Sequence, residues 1–193
     1  MLHFSPDKSG VILNAAFDVF VTYGFRKTSM DDIARAAGLS RPALYQSFKN
    51  KQDIFRALSR FMLERACVLA AQEMQSDAPF AERLLRSVDA SILSIHRIID
   101  ATPHGAELIG INAEIAPDIE RDWDQQLATV WGDAFQQAAN KGEIALSGLD
   151  ARDAARLFMY AMEGIKQAYM CGTPTEPEVR KLVAFFDASL APR

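Results

Sequence analysis

The sequence predicts an all-α fold, and three observations carry that expectation. Apolar residues recur three and four positions apart over long stretches, and residues that start and stop helices fall between those stretches. No segment shows the sustained two-residue alternation with β-branched enrichment that a strand requires. Counting the periodic stretches gives about nine helices. The 193 residues suit one domain of ordinary size or two small ones, and 49% hydrophobic residues suffice to bury a core.

The first helix is under way by Val11, since Ile12, Ala15, Ala16, Val19, Phe20 and Tyr23 recur at helical spacing and Gly24 follows where a left-handed cap is wanted. Thr28 or Ser29 caps a short second helix. Asp31 and Asp32 suit the dipole of its first turn, Ile33, Ala34 and Ala37 its inner face, and Gly38 its stop. Ser40 then offers an N-cap oxygen, and Pro42 sits in the first turn of a third helix, where no backbone donor is missed. Asn50 caps a fourth helix with Asp53 at its third position, and residues 54–74 continue without Gly or Pro. At 1.5 Å per residue this helix spans roughly 35 Å. Beyond it Asp77 with Pro79, Pro117, Asp150 with Asp153, and Thr175 with Pro177 and Glu178 mark further starts, and Gly142 and Gly172 mark stops.

Several function classes find no support. The longest apolar runs, ACVLAA and LFMYAM, are far too short to span a bilayer, and the opening MLHFSPDKSG lacks the basic and apolar regions of a secretory signal. A soluble cytoplasmic protein is the expectation. Cys67 and Cys171 lack metal-ligand spacing and read as reduced thiols, so no metal site is expected. The patterns G-x-S-x-G, H-E-x-x-H, G-x-G-x-x-G and the P-loop are absent, so neither catalytic residues nor a cofactor are expected. Scattered carboxylates such as Glu107, Glu114 and Glu163 read as solvated acids on helical surfaces.

Charge is unevenly placed. Through Arg65 the chain carries ten basic residues against six acidic ones, which leaves eleven against nineteen for the remainder of a chain whose formal net charge is -4. A basic end on an acidic protein suits a polyanion. Its centre is AGLSRPALYQSFKNK, which contains Arg41, Lys49 and Lys51 and no carboxylate. The second and third helices, with a tight turn through Gly38 and Leu39, make a helix-turn-helix whose second helix can enter the DNA major groove. Leu44 and Phe48, four apart, face inward, which turns Arg41, Ala43, Tyr45 and Gln46 partly or wholly outward. Arg41 suits guanine, Gln46 adenine, and Ala43 a thymine methyl. Thr28, Ser29, Ser40, Tyr45 and Lys51 suit phosphate oxygens, and Pro42 lies among them in the first turn. A helical protein-interaction module without specific DNA binding is the rival reading from another class.

Residues 12–58, ILNAAFDVFVTYGFRKTSMDDIARAAGLSRPALYQSFKNKQDIFRAL, resemble the DNA-binding domain of the TetR family of bacterial transcriptional regulators. The resemblance rests on Phe20, Gly24, Ile33, Ala34, Gly38, Leu44, Tyr45, Phe48 and Lys51 in the family's order and spacing; Ser47 departs, since His is frequent before the Phe. It implies a homodimer that binds a palindromic DNA operator, most often as a repressor, and is released by a small molecule held in its C-terminal domain. The corresponding division is residues 1–52 for DNA binding and residues 53–193 for effector binding and dimerisation. The long fourth helix, starting in one and ending in the other, is the expected lever of the switch.

In the second part, residues 157–162 are apolar all round and need cover on both sides. Val179, Leu182, Val183, Phe186 and Leu190 form an apolar stripe that Phe185 widens beyond what one neighbour requires. The last two helices are therefore the dimer candidates, through Phe158, Ile165, Val179, Leu182, Val183 and Phe186, and the family resemblance implies the same. The candidate pocket residues are His96, Ile99, Ile111, Trp123, Leu127, Trp131, Met159 and Met162, most of which double as core. With no basic cluster among them, the effector is expected to be apolar or weakly polar.

Overall fold

The computed structural model describes Phe4, residues 6–170, with the backbone alone at Met170, and residues 175–192. Helix α1 is Lys8–Tyr23. Asp7 caps its start by accepting from the N–H of Gly10, and Gly24 ends it at φ 85°, its N–H donating to the Phe20 carbonyl. Helices α2 (Met30–Ala36) and α3 (Arg41–Tyr45) follow, and α4 is Lys51–Met74. The Asp53 N–H donates to Asn50 Oδ1 at 2.8 Å, as the cap signal predicts.

Helix α5 (Phe80–Val88) runs without a break through a π-helical turn, Asp89–Leu93, into α6 (Ser94–Asp100). The hydroxyls of Ser91 and Ser94 donate back to the carbonyls of Ser87 and Ala90, competition with the regular ladder that accompanies the wider turn. Helices α7 (Gly105–Ile115), α8 (Pro117–Asn140), α9 (Ala151–Met170) and α10 (Thr175–Leu190) complete the chain. With α5 and α6 taken as one, the described residues form nine helices and no strand. The starts at Pro117, Asp150 and Thr175 and the stop at Gly142, φ 72°, follow the sequence signals. The start marked by Asp77 and Pro79 is there as well, with Pro79 at the N-cap position of α5 and no side chain bonding there. Gly172 and Cys171 lie outside the described residues, and Cys67 is a buried thiol.

The chain divides into two compact units, Met1–Glu64 with Ile95–Arg121, and Arg65–Ser94 with Asp122–Arg193. This division departs from the expected boundary at 52/53. The first unit's core joins Ile12, Phe20, Ile33, Leu44, Ile54 and Phe55 with Ile111 of α7, so apolar partners far along the chain, invisible to a linear reading, extend it. Arg56 of α4 strengthens the same unit by donating to both carboxylate oxygens of Asp118, at 2.7 and 2.6 Å, and to the Ile115 carbonyl at 2.7 Å. The guanidinium holds the Asp118 carboxyl well below the usual carboxylate range, so this contribution is present at neutral pH and is lost only as strong acid protonates Asp118.

The second unit is built around Trp131, Phe135, Phe158 and Val179, all without solvent exposure. Phe158 meets Trp131 edge-on with centroids 5.1 Å apart. Arg83, also buried, donates to the Met74 carbonyl at 3.1 Å and pairs with Glu143. No described helix is long and apolar enough to cross a membrane.

Candidate nucleic-acid interface

The helix-turn-helix is assembled from short-range signals. Ser29 and Asp32 form a capping box at the start of α2: the Ser29 hydroxyl accepts the Asp32 N–H, and the Asp32 carboxylate accepts the Ser29 N–H at 2.9 Å. The Ser29 hydroxyl, which donates to Asp32 Oδ2 at 2.6 Å, and then the Ser29 N–H hold the Asp32 carboxyl below its ordinary pKa. Gly38, at φ 67°, takes the left-handed turn that α2 needs to stop, and the Leu39 N–H closes the turn on the Ala34 carbonyl at 2.9 Å. Ser40 then caps α3 by accepting the Ala43 N–H at 3.3 Å, with Pro42 in the first turn.

Burial orients α3 as the spacing predicts. Leu44 is fully buried, and Phe48 packs half-buried against the same core. Arg41, Pro42, Tyr45 and Gln46 are exposed, and Ala43 is half-buried. Arg41 donates to Asp31 Oδ2 at 3.0 Å and lies over the Tyr45 ring, 5.6 Å from its centroid. An exposed ion pair of this kind is worth about 0 to 1 kcal/mol, so it orders Arg41 without committing it.

Two of the expected phosphate donors face the protein itself. Thr28 is buried, and its hydroxyl donates to the Gly24 carbonyl at 2.7 Å. Lys51 Nζ donates to the carbonyls of Phe25, Arg26 and Thr28 at 2.7, 3.2 and 2.8 Å and stands 4.5 Å from the centre of the Phe25 ring. An ammonium has three hydrogens, and all three are taken. The loop between α1 and α2 leaves these carbonyls outside any helix, and Lys51 satisfies them. Lys51→Ala is therefore expected to destabilise the fold by about 1 to 2 kcal/mol in urea unfolding. An unchanged midpoint, with a lower salt slope of DNA binding, would return Lys51 to the phosphates. The cations Lys27, Arg35 and Lys49 are also exposed on this unit. Of these, the sequence reading names Lys49 within the carboxylate-free stretch but gives no role to Lys27 or Arg35, because a lone exposed cation carries no local pattern.

The expected pocket residues fall on both units. His96, Ile99 and Ile111 belong to the first unit, where Ile111 is buried in the core with α1 and α2 residues. Trp123, Leu127, Trp131, Met159 and Met162 belong to the second. There Leu127, Trp131 and Met162 are buried core, and the Trp131 indole N–H donates to Ser87 Oγ at 2.9 Å. The Trp123 indole N–H is also buried but meets no acceptor among the described residues.

The expected dimer face is likewise redistributed. Phe158, Val179 and Val183 are buried inside the protomer, and Ile165, Leu182 and Phe186 pack half-buried against the same core. Phe186 meets Phe158 and Phe135 edge-on at 5.2 and 6.4 Å. Much of the stripe thus packs within its own unit, with Ile165, Leu182 and Phe186 left half-buried. What the last two helices present outward is Leu157 and Tyr160 on α9 and Phe185 on α10, the latter two 66% and 67% exposed.

Residues 12–58 match the family model described as bacterial regulatory proteins, tetR family. The chain is 31% identical over 86 residues to the uncharacterized HTH-type transcriptional regulator YhgD of Bacillus subtilis, a stretch covering 45% of each protein. It is 32% identical over 84 residues to the HTH-type transcriptional activator FasR of Mycolicibacterium smegmatis, covering 44% of this chain and 38% of that one. The matched stretches thus span less than half the length of these curated relatives. The solved structure of SmeT, the repressor of the Stenotrophomonas maltophilia multidrug efflux pump SmeDEF, superposes with a TM-score of 0.72 at 17% identity, covering 96% of this chain and 91% of that one, a likeness of fold. SmeT has also been solved as a triclosan complex. Residues 12–58 thus carry the DNA-binding region of the tetR family of bacterial regulatory proteins, inside a fold like that of solved tetR-family regulators.

Proposed function

We propose that this protein is a ligand-responsive transcriptional repressor that binds a palindromic operator as a homodimer in the bacterial cytoplasm and leaves it when a small molecule binds. The observation that carries the reading is α3: Leu44 is wholly buried while Arg41, Tyr45 and Gln46 stand exposed on a helix capped by Ser40. In the major groove Arg41 and Gln46 meet base edges, Ala43 meets a thymine methyl, and Ser29, Ser40 and Tyr45 meet phosphates, with Pro42 leaving the backbone free to approach. Residues 1–52 supply this reading head. The outward residues Leu157, Tyr160 and Phe185 join two copies, and a two-fold dimer requires half-sites about 34 Å apart or a multiple of that.

The effector belongs in the second unit. The core of that unit is apolar and aromatic, and its buried Trp123 N–H has no acceptor among the described residues, which favours an apolar or weakly polar molecule carrying one such group. The triclosan complex of SmeT supports that class. Helix α4 supplies residues to both units and is the element whose shift changes the separation of the reading heads. Selection from a random pool of double-stranded DNA tests the reading: a palindrome should be enriched, and placing it before a reporter should lower expression. Enrichment of nothing would favour a protein-interaction module, and raised expression would make the protein an activator.

A further inference from the structure

Glu107 has the sequence context of a solvated surface acid, yet it is bound to backbone. It lies in the first turn of α7, and its Oε1 accepts the Arg26 N–H at 3.0 Å across 81 positions of sequence. Its Oε2 lies so close to Gly24 that a Cβ there would collide with it, and that Cβ would also stand 3.2 Å from His104 Nδ1. His104 Nδ1 is itself 3.5 Å from Glu107 Oε2. Gly24 is favoured by its positive φ, and a side chain there would displace this carboxylate.

The loop that Glu107 touches, residues 24–29, is held from a second side. Lys51 of α4 binds three of its carbonyls, and the Thr28 hydroxyl binds a fourth. Burial lowers the Lys51 pKa and the Glu107 charge raises it, so the carboxylate and the ammonium favour each other across the loop. The loop leads directly into Ser29, the N-cap of α2, and so sets the direction in which the helix-turn-helix leaves α1. Leu108, Ile111 and Ile115 of α7 pack into the same core as Ile33 and Leu44, so Glu107 rides on an element that already belongs to the reading unit.

We infer that Glu107 is a positioning residue for DNA reading, a latch by which α7 fixes the loop between α1 and α2 and thereby the pose of α2 and α3. The inference rests on the reading of α3 as the DNA-recognition helix, and it places Glu107 itself off the DNA. A latch acts on the pose, so it should affect binding to the selected site and leave non-specific binding, which needs only charge, unchanged.

The full-length protein with Glu107→Ala and Glu107→Gln provides the test, with DNA selected by the wild type as the specific probe and random-sequence duplex as the non-specific one. Glu107→Ala should lose about tenfold in specific affinity, the size of one charge-assisted hydrogen bond, with non-specific affinity unchanged. Hydrogen exchange at the Arg26 amide should quicken by a similar factor. Glu107→Gln keeps an acceptor oxygen for that N–H and should restore most of both. Alanine binding like wild type overturns the latch. Equal losses in the two variants, accompanied by a lowered thermal midpoint in both, also overturn it, by making Glu107 a support of the fold. A wild type that selects no DNA removes the reading of α3 and this role with it, a result distinct from either.

Discussion

Phe185→Glu is expected to convert a dimer into a folded monomer that no longer holds its operator. Phe185 is 67% exposed in the protomer, and it stands with Leu157 and Tyr160 on the outward sides of two helices that pack on each other. An aromatic ring of this size buries on the order of 150 Å² or more at an interface, and a carboxylate in its place is left desolvated without a partner. Operator affinity should fall with dimerisation. Linking two reading heads raises affinity by about 10² to 10⁴ over one, and a monomer forfeits that gain. The contrast with Phe186→Glu sharpens the expectation. Phe186 sits edge-on to Phe158 and Phe135, so a carboxylate there enters the core and should unfold the second unit. Light scattering with far-UV circular dichroism separates the outcomes. A folded, unchanged dimer for both Phe185→Glu and Tyr160→Glu would place the interface elsewhere.

Arg41→Ala is expected to cost about 1 to 3 kcal/mol of operator affinity per half-site and to relax preference at one base pair in each. A dimer carries the change twice, so the total reaches roughly 2 to 6 kcal/mol if the sites are independent. In the free protein Arg41 is held by Asp31 and lies over Tyr45, an arrangement that limits its rotamers before DNA arrives. Breaking the exposed Asp31 pair costs little, so the guanidinium is available to a guanine edge. Repeating the selection with Arg41→Ala checks the assignment. An intact base profile with uniformly weaker binding would move Arg41 from bases to phosphates.

Much of this protein is determined by its sequence alone, because the signals are local. Helix periodicity, the caps at Ser29, Ser40 and Asn50, and the left-handed glycines at 24 and 38 each involve residues a few positions apart, so a linear reading suffices. The outward set on α3 is legible for the same reason: Leu44 and Phe48 can face one core only if Arg41, Tyr45 and Gln46 turn away from it.

Tertiary structure decided everything that depends on a distant partner. Lys51 and Thr28 are chemically fit for phosphate, but loop carbonyls without helical partners claim both. Glu107 resembles Glu163 in sequence context, yet one meets a backbone N–H 81 positions away and the other pairs along its own helix with Lys166 and Gln167. The apolar stripe on α10 contains both core and surface positions, and periodicity cannot tell a neighbour in the same protomer from one in another. In the protomer Val179 and Val183 are buried, Phe186 is half-buried and Phe185 stands out. The boundary between units follows the same rule, since Ile111 joins the N-terminal core through contacts that no linear pattern records. Local conformational preference fixes the elements, and the burial of apolar surface among elements far apart in the chain fixes which side chains remain available for function.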